Sequence, residues 1–306
     1  MQVSPSECTR LTAVIALVWL LFSFRQTIAN ELYHIIPNQG GFCQVPPCLT
    51  LSQFATNSTN YLDVNTTLLI LPGNHRSVHL SISSIDYLSI ISKSKGAHAQ
   101  IECVHPQVSR IFLYSIRHIH IQNLEFVKCG ITVQYSVINI ESTVFSQSAE
   151  RFKAELYSTA RLILIKNNTR IRATQFKNIT ATQLGAVVLN TNGTLYIDGS
   201  NFSYNRANAA GGGVLNLENS NTIIRTSQFT NNIAAGAGGV VFAYNGTLNI
   251  DGSLFSSNKA EDDGGVMYFA LVHCSTQVNF ITILQATLEG LYLPLKVLLH
   301  FMTSSL

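Results

Sequence analysis

The sequence predicts an all-β solenoid with about 26 residues per coil, and three observations predict it. Gly-Gly-Val blocks recur at 212–215, 238–241 and 264–267, after a weaker Gly-Ala-Val-Val at 185–188. Eleven or twelve positions before the valine of each block stands a phenylalanine: Phe176, Phe202, Phe229 and Phe255, at intervals of 26, 27 and 26. Three positions after the last three of these come Asn205, Asn232 and Asn258. A coil needs sharp corners, which glycine forms without steric cost, and a narrow core, which one valine and one phenylalanine per coil can fill. The recurrent asparagines suit a turn where a stacked amide bonds the backbone of its neighbours.

Taken from the start, residues 1–29 read as a secretory signal peptide. Arg10 precedes an apolar run from Leu11 to Phe24, and Thr27-Ile28-Ala29 offers a small-residue cleavage site. A retained signal anchor is the other reading, disfavoured because the run is shorter than the roughly 20 residues of a membrane span. An extracellular chain, secreted or held at the cell surface, is therefore expected. Seven Asn-x-Ser/Thr sequons follow, at Asn57, Asn65, Asn167, Asn178, Asn192, Asn201 and Asn245, and are candidate glycosylation sites. In an oxidising compartment cysteines default to disulfides. Cys43 and Cys48 could close a small loop across Gln-Val-Pro-Pro. Cys103 and Cys129 are one period apart, so they fall side by side on neighbouring strands, about 4.8 Å apart, within reach of a disulfide. Cys274 is left odd.

Residues 30–75 are read as an N-terminal cap, because a bare solenoid end would expose unpaired backbone. Residues 76–268 are read as the coiled body. Its short apolar runs alternate with polar residues, as in Ile119-His120-Ile121 and Val137-Ile138-Asn139-Ile140, the mark of half-buried strands. An Ile-x-x-x-x-Phe pattern carries the period back to Phe126 through 121–126, 140–145, 171–176, 197–202, 224–229 and 250–255. The uneven early intervals imply one coil with a short loop and one with a long loop, Ser146 to Ala160. An Ile and a Phe five apart fall on opposite faces of a straight strand, so if both point inward the chain bends between them, where Gly199 and Gly252 stand.

Directly after each isoleucine come Gln122, Glu141, Arg172, Asp198, Arg225 and Asp251. Alternating charge on stacked strands predicts a surface salt-bridge ladder, worth roughly 0–1 kcal/mol per exposed pair.

After Tyr268 the expected pattern fails. Residues 269–306 form a divergent apolar segment interrupted by Glu289, Pro294, Lys296 and His300. A membrane span and a hydrophobic cap are two readings. The loss of period and the odd Cys274 favour a third, a truncated or mis-joined chain.

The Gly-Gly-Val blocks and the Phe202-Ser-Tyr-Asn205, Phe229-Thr-Asn-Asn232 and Phe255-Ser-Ser-Asn258 segments resemble the repeats of polymorphic outer membrane proteins. With Pro47-Cys48-Leu49-Thr50-Leu51 and Leu71-Pro72-Gly73-Asn74-His75, the wider chain is similar to secreted proteins of early-branching animals that carry such repeats. The resemblance implies a right-handed parallel β-helix of the pectin-lyase-like type. It also suggests adhesion, the role of bacterial surface proteins with these repeats.

Pectin-lyase-like folds also house enzymes, so a secreted polysaccharide-degrading enzyme is the alternative function. That chemistry needs paired carboxylates, or calcium-binding acids beside a base. The acidic cluster Glu261-Asp262-Asp263 lies in a turn, and Asp198 and Asp251 are separated by Arg225. His118 and His120 could hold a metal but lack an evident third ligand. No nucleophile, zinc or phosphate-loop motif occurs, and no cofactor is expected. Charged residues are only 11% of the chain, with net charge +3 and no basic run, which excludes the footprint of a nucleic-acid binder. The expected function is structural or adhesive and non-enzymatic, with an extracellular glycan or protein as partner.

Overall fold

The computed structural model describes residues 32–36, 51, 65–76, 80–92, 99–103, 110–146, 162–181, 187–208, 214–261, 266–270, 277–280, 283–284, 291–292 and 299–301. The signal segment, Cys43, Cys48, Asn57, Asp262, Asp263, Cys274 and most of the 146–160 loop lie outside them. The described chain is all-β apart from Leu51, and its strands pair in parallel with their equivalents one coil on, in the manner of a β-solenoid.

Each coil contributes to up to three curled sheets. In the coil that begins at 188, Val188–Thr191 and Thr194–Asp198 lie in the first sheet, Asn201–Ser203 in the second and Arg206–Ala207 in the third. In the next two coils the first two strands fuse into Leu215–Arg225 and Val241–Asp251. The second sheet takes one strand per coil in chain order, from Gly73–Arg76 to Ile283–Leu284.

Alternation sets the inner face. Ile121, Ile140, Ile171, Ile197, Ile224 and Ile250 are register partners in one fully buried column. The six phenylalanines from Phe126 to Phe255 form a second column. Their ring centroids are 5.2, 4.7, 4.5, 4.7 and 4.8 Å apart, and the rings are within 16° of parallel. Each buried ring contributes about 1.5–3 kcal/mol by leaving water, and each ring pair about 0.5–1.5 kcal/mol more. Register survives the uneven spacing, since Phe145 pairs with both Phe126 and Phe176.

The isoleucine and phenylalanine columns both face inward because the chain turns between them. The residue that turns has positive φ in every coil: Asn123, Ser142, Ala173, Gly199, Thr226 and Gly252. Two further columns do the same. Ser84, Ser115, Tyr135, Lys166, Asn192, Asn219 and Asn245 bend the first sheet and make the first corner of the coil; the Asn123–Gly252 column is the second corner, and Lys128, Asn178, Tyr204, Asn231 and Ser257, after the second sheet, are the third. Every described non-glycine residue with positive φ belongs to one of these three corners. Such a backbone costs an ordinary residue roughly 1–2 kcal/mol. The corner amide offsets part of this by donating to the next coil, as Lys166 does to Thr191 (2.8 Å), Ala173 to Asp198 (3.0 Å) and Tyr204 to Thr230 (3.1 Å).

Parallel pairing extends beyond both ends expected of the coiled body. Leu32–Ile36 and Asn65–Ile70 already pair in parallel, and Asn65–Ile70 and Gly73–Arg76 pair with the strands of the following coil. The described stack thus enters the segment 30–75, read from the sequence as a cap. At the other end the pairing continues past Tyr268. Gln277–Phe280 lies beside Thr247–Ile250, and Leu299–Phe301 beside Val278–Phe280. Phe280 takes the register place of Ile250, a longer step than in the three coils just before it, so a fixed period misses it. Backbone pairing requires only extended chain, not the glycine and phenylalanine marks by which the coils are recognised.

Candidate functional surface

The predicted asparagines are consumed in structure. Asn205 and Asn232 are buried, immediately after the third corner. Asn232 Oδ1 accepts from the backbone N–H and Nδ2 of Asn205 (3.1 and 2.9 Å), while its own Nδ2 donates to Asn258 Oδ1 and the Phe202 carbonyl (both 2.9 Å). Asn258 repeats the arrangement, accepting from Asn232 N–H at 3.0 Å and donating to the Phe229 carbonyl at 2.8 Å. One coil before Asn205, Ile179 stands in the same place and donates its N–H to Asn205 Oδ1 but has no side-chain amide to continue the ladder.

A second ladder, unforeseen from the sequence, stands at the other corner. Thr143, Thr174, Ser200, Ser227 and Ser253 are buried, two positions after the charged column. Each hydroxyl donates back to the carbonyl two positions earlier, as Ser227 does to Arg225 at 2.7 Å. The Ser200, Ser227 and Ser253 hydroxyls each also accept the N–H of the preceding coil's residue, at 3.1–3.2 Å. The signal was present as a Ser or Thr three positions after each isoleucine from Ile140 onward.

The charged column stacks in the expected register, from Glu141 opposite Arg172 to Arg225 opposite Asp251. It is not a continuous salt-bridge ladder. Arg172 approaches Asp198 at 3.9 Å. Arg225 instead reaches the Tyr196 hydroxyl at 3.4 Å, and Asp198 Oδ1 accepts the Thr226 hydroxyl at 2.9 Å. Beside a sharp corner, a long guanidinium finds an aromatic face more readily than a short carboxylate. Tyr196 accordingly lies between two arginines, with Arg170 5.0 Å and Arg225 5.8 Å from its ring centroid.

Cys103 and Cys129 form the predicted coil-to-coil disulfide, with Cα atoms 5.0 Å apart and both residues buried. Its closed loop is worth about 3 kcal/mol against the unfolded chain.

The candidate catalytic groups are engaged or apart. Glu261 pairs with Arg206 at 3.0 Å on the exposed edge. Arg225 lies in register between Asp198 and Asp251. His118 is exposed, while the His120 ring contacts Gln122 Oε1 at 3.4 Å and Asn139 Nδ2 at 3.3 Å. Among the described residues no three His, Cys, Asp or Glu side chains gather as a metal site, and no helix is long and apolar enough to cross a membrane.

What the outside offers is aromatic. Tyr87, Tyr114, Tyr135 and Val137 are exposed large apolar side chains on three successive coils, all near the first corner. Tyr87 and Val137 share a register column through His118. Tyr114 meets Tyr135 edge to face at 5.6 Å, and Lys166 Nζ lies 5.4 Å from the Tyr135 centroid. Single exposed apolar residues are ordinary, but an exposed aromatic pair with a cation beside it is a candidate contact surface. Comparison with known proteins finds no matching family model, no curated relative and no solved structure.

Proposed function

We propose that this chain is a secreted or surface-displayed right-handed parallel β-helix with an N-terminal cap. Its role is structural or adhesive, without catalysis, and it presents its outer face to an extracellular glycan or protein. The observation that carries the reading is the exposed edge-to-face pair Tyr114–Tyr135 beside Lys166, with Tyr87 exposed one coil before. Tyrosine combines large contact area with a polar tip, and it is enriched where proteins bind partners. The leader-like segment 1–29, the sequons and the Cys103–Cys129 disulfide fit an oxidising, extracellular setting.

The test expresses the full chain with its own leader in cultured animal cells. Surface and medium fractions are measured, and the recovered protein is applied to a glycan and extracellular-protein array with a readout of substrate cleavage. The reading expects export and retention without cleavage, with retention reduced at least tenfold by Tyr114→Ala combined with Tyr135→Ala. Retention in the cytosol, turnover of an arrayed glycan, or unchanged retention of the double variant would each overturn it.

A further inference from the structure

The seven sequons are equivalent as motifs, but the described ones are not equivalent in the fold. Asn167 is 1% exposed and follows the first corner at Lys166. Its Oδ1 accepts the Ser136 N–H at 2.8 Å and its Nδ2 donates to the Val133 carbonyl at 2.7 Å, both in the preceding coil. A sugar on that nitrogen would force the buried side chain outward, and the Ser136 N–H and the Val133 carbonyl would both lose their partner. Asn178 and Asn192 are the opposite case. Both are exposed, and both are themselves corner residues, with φ of 53° and 54°. Their backbone N–H groups are spent on the next coil, donating to Ser203 and Glu218 carbonyls at 3.1 and 2.9 Å. Neither side-chain amide makes a hydrogen bond among the described residues, so a substituent there costs the fold nothing.

We propose that the folded chain carries N-linked glycans at Asn178 and Asn192 and none at Asn167. The donor is a lipid-pyrophosphate-linked oligosaccharide of the secretory compartment. A bond forms between the asparagine Nδ2 and C1 of the reducing sugar while the C1–oxygen bond to pyrophosphate breaks. The lipid pyrophosphate leaves with the bonding pair, and the amide gives up one proton to the transferase's base. The amide stays an amide and nothing is oxidised. Transfer precedes folding, so all three sites are offered alike; the fold then selects, because a chain substituted at Asn167 cannot close the coil over Ser136.

This proposal rests on the reading that the chain enters the secretory pathway, and the two can be separated by leader. The full chain is expressed in animal cells once with its own segment 1–29 and once with that segment replaced by a known secretory leader. Soluble exported protein is deglycosylated by an amidase in heavy-oxygen water, which marks each formerly substituted asparagine as a labelled aspartate in peptide mass spectra. Labelled positions 178 and 192 with an unlabelled 167 are expected. On gels, Asn178→Asp and Asn192→Asp should each remove one glycan step. Thr169→Val should remove none, since it abolishes the Asn167 sequon while sparing the Asn167 amide and replacing a buried, unpartnered hydroxyl. A labelled position 167 in the exported protein, a lost step in Thr169→Val, or unlabelled 178 or 192 would overturn the proposal. Export with the substituted leader but not the native one would sink the secretory reading and leave the site assignment standing.

Discussion

Asn205 Nδ2 lies 2.9 Å from Asn232 Oδ1, the two side chains occupying the same place on consecutive coils. Asn232 serves four groups at once: the Asn205 backbone N–H, the Asn205 amide, the Phe202 carbonyl and Asn258 Oδ1. Asn232→Ala removes these bonds and leaves the buried Asn205 N–H without its side-chain partner. The Asn205 amide keeps the Phe176 carbonyl and Asn258 Oδ1 keeps the residue 232 N–H, so a loss of about 2–3 kcal/mol is expected. Asn208→Ala, at an exposed amide bonded to Arg206, should stay within about 0.5 kcal/mol. Thermal or urea unfolding of both variants measures the difference. Equal midpoints would show that the buried ladder contributes nothing.

Corner geometry makes two glycine predictions of opposite sign. Ala173 holds φ of 46°, where glycine stands in two other coils of the same column. Ala173→Gly should raise stability by about 1 kcal/mol by removing the left-handed penalty. A Cβ on Gly246, by contrast, would collide with the Ser220 carbonyl oxygen, at a φ of 106°. Gly246→Ala should prevent the coil from closing and abolish export or soluble yield. A soluble, normally melting Gly246→Ala would refute the close approach.

Asn190 is fully buried with neither amide atom bonded, between Leu164 and Leu217 in its register column. Leucine has nearly the same volume and matches both neighbours. Asn190→Leu should therefore raise the unfolding midpoint, by the equivalent of about 1–3 kcal/mol for an orphaned polar group. A lower midpoint would mean that the amide has a partner in solution.

His75 predicts the acid response. It is buried, and burial pushes its pKa below the usual 6.5, against the opposing effect of the bond between its Nε2 and the Leu71 carbonyl, 2.9 Å away. A carbonyl can only accept, so Nε2 carries the proton of the neutral ring. As pH falls through the unfolded value, the unfolded chain takes up a proton before the folded one does. The histidine's contribution is thus complete above about pH 6.5 and declines from there toward its lowered folded pKa. His75→Gln, which keeps a donor for Leu71, should flatten the loss of melting temperature between about pH 7 and about pH 5. An unchanged slope would assign the acid sensitivity elsewhere.

Much of this fold was written in the sequence because each coil repeats the same demand. The phenylalanine and isoleucine columns and the Cys103–Cys129 pair could be placed from spacing alone. The corners could be placed only where glycine marked them. Thr226 and Ala173 make the same turn without a glycine, their N–H groups donating to carbonyls one coil on, a long-range effect that no local propensity carries. Arg225 shows the other limit. Its register was legible, but its choice of Tyr196 over a carboxylate depends on side-chain direction at a bend. The exposed tyrosines were not legible because Tyr87, Tyr114 and Tyr135 obey no fixed interval; only the first corner brings Tyr114 and Tyr135 together.

The stacked phenylalanines have a consequence for how such a molecule can change over generations. Each of the four inner rings meets a copy of itself above and below, so neighbouring coils are interchangeable as partners. A gene duplication or deletion spanning one whole period creates a junction that already matches, ring on ring and amide on amide. A single inserted codon inside a strand turns its side chains inside out. Length in this chain is therefore free to vary in whole coils, while sequence within a coil is held by its own repetition.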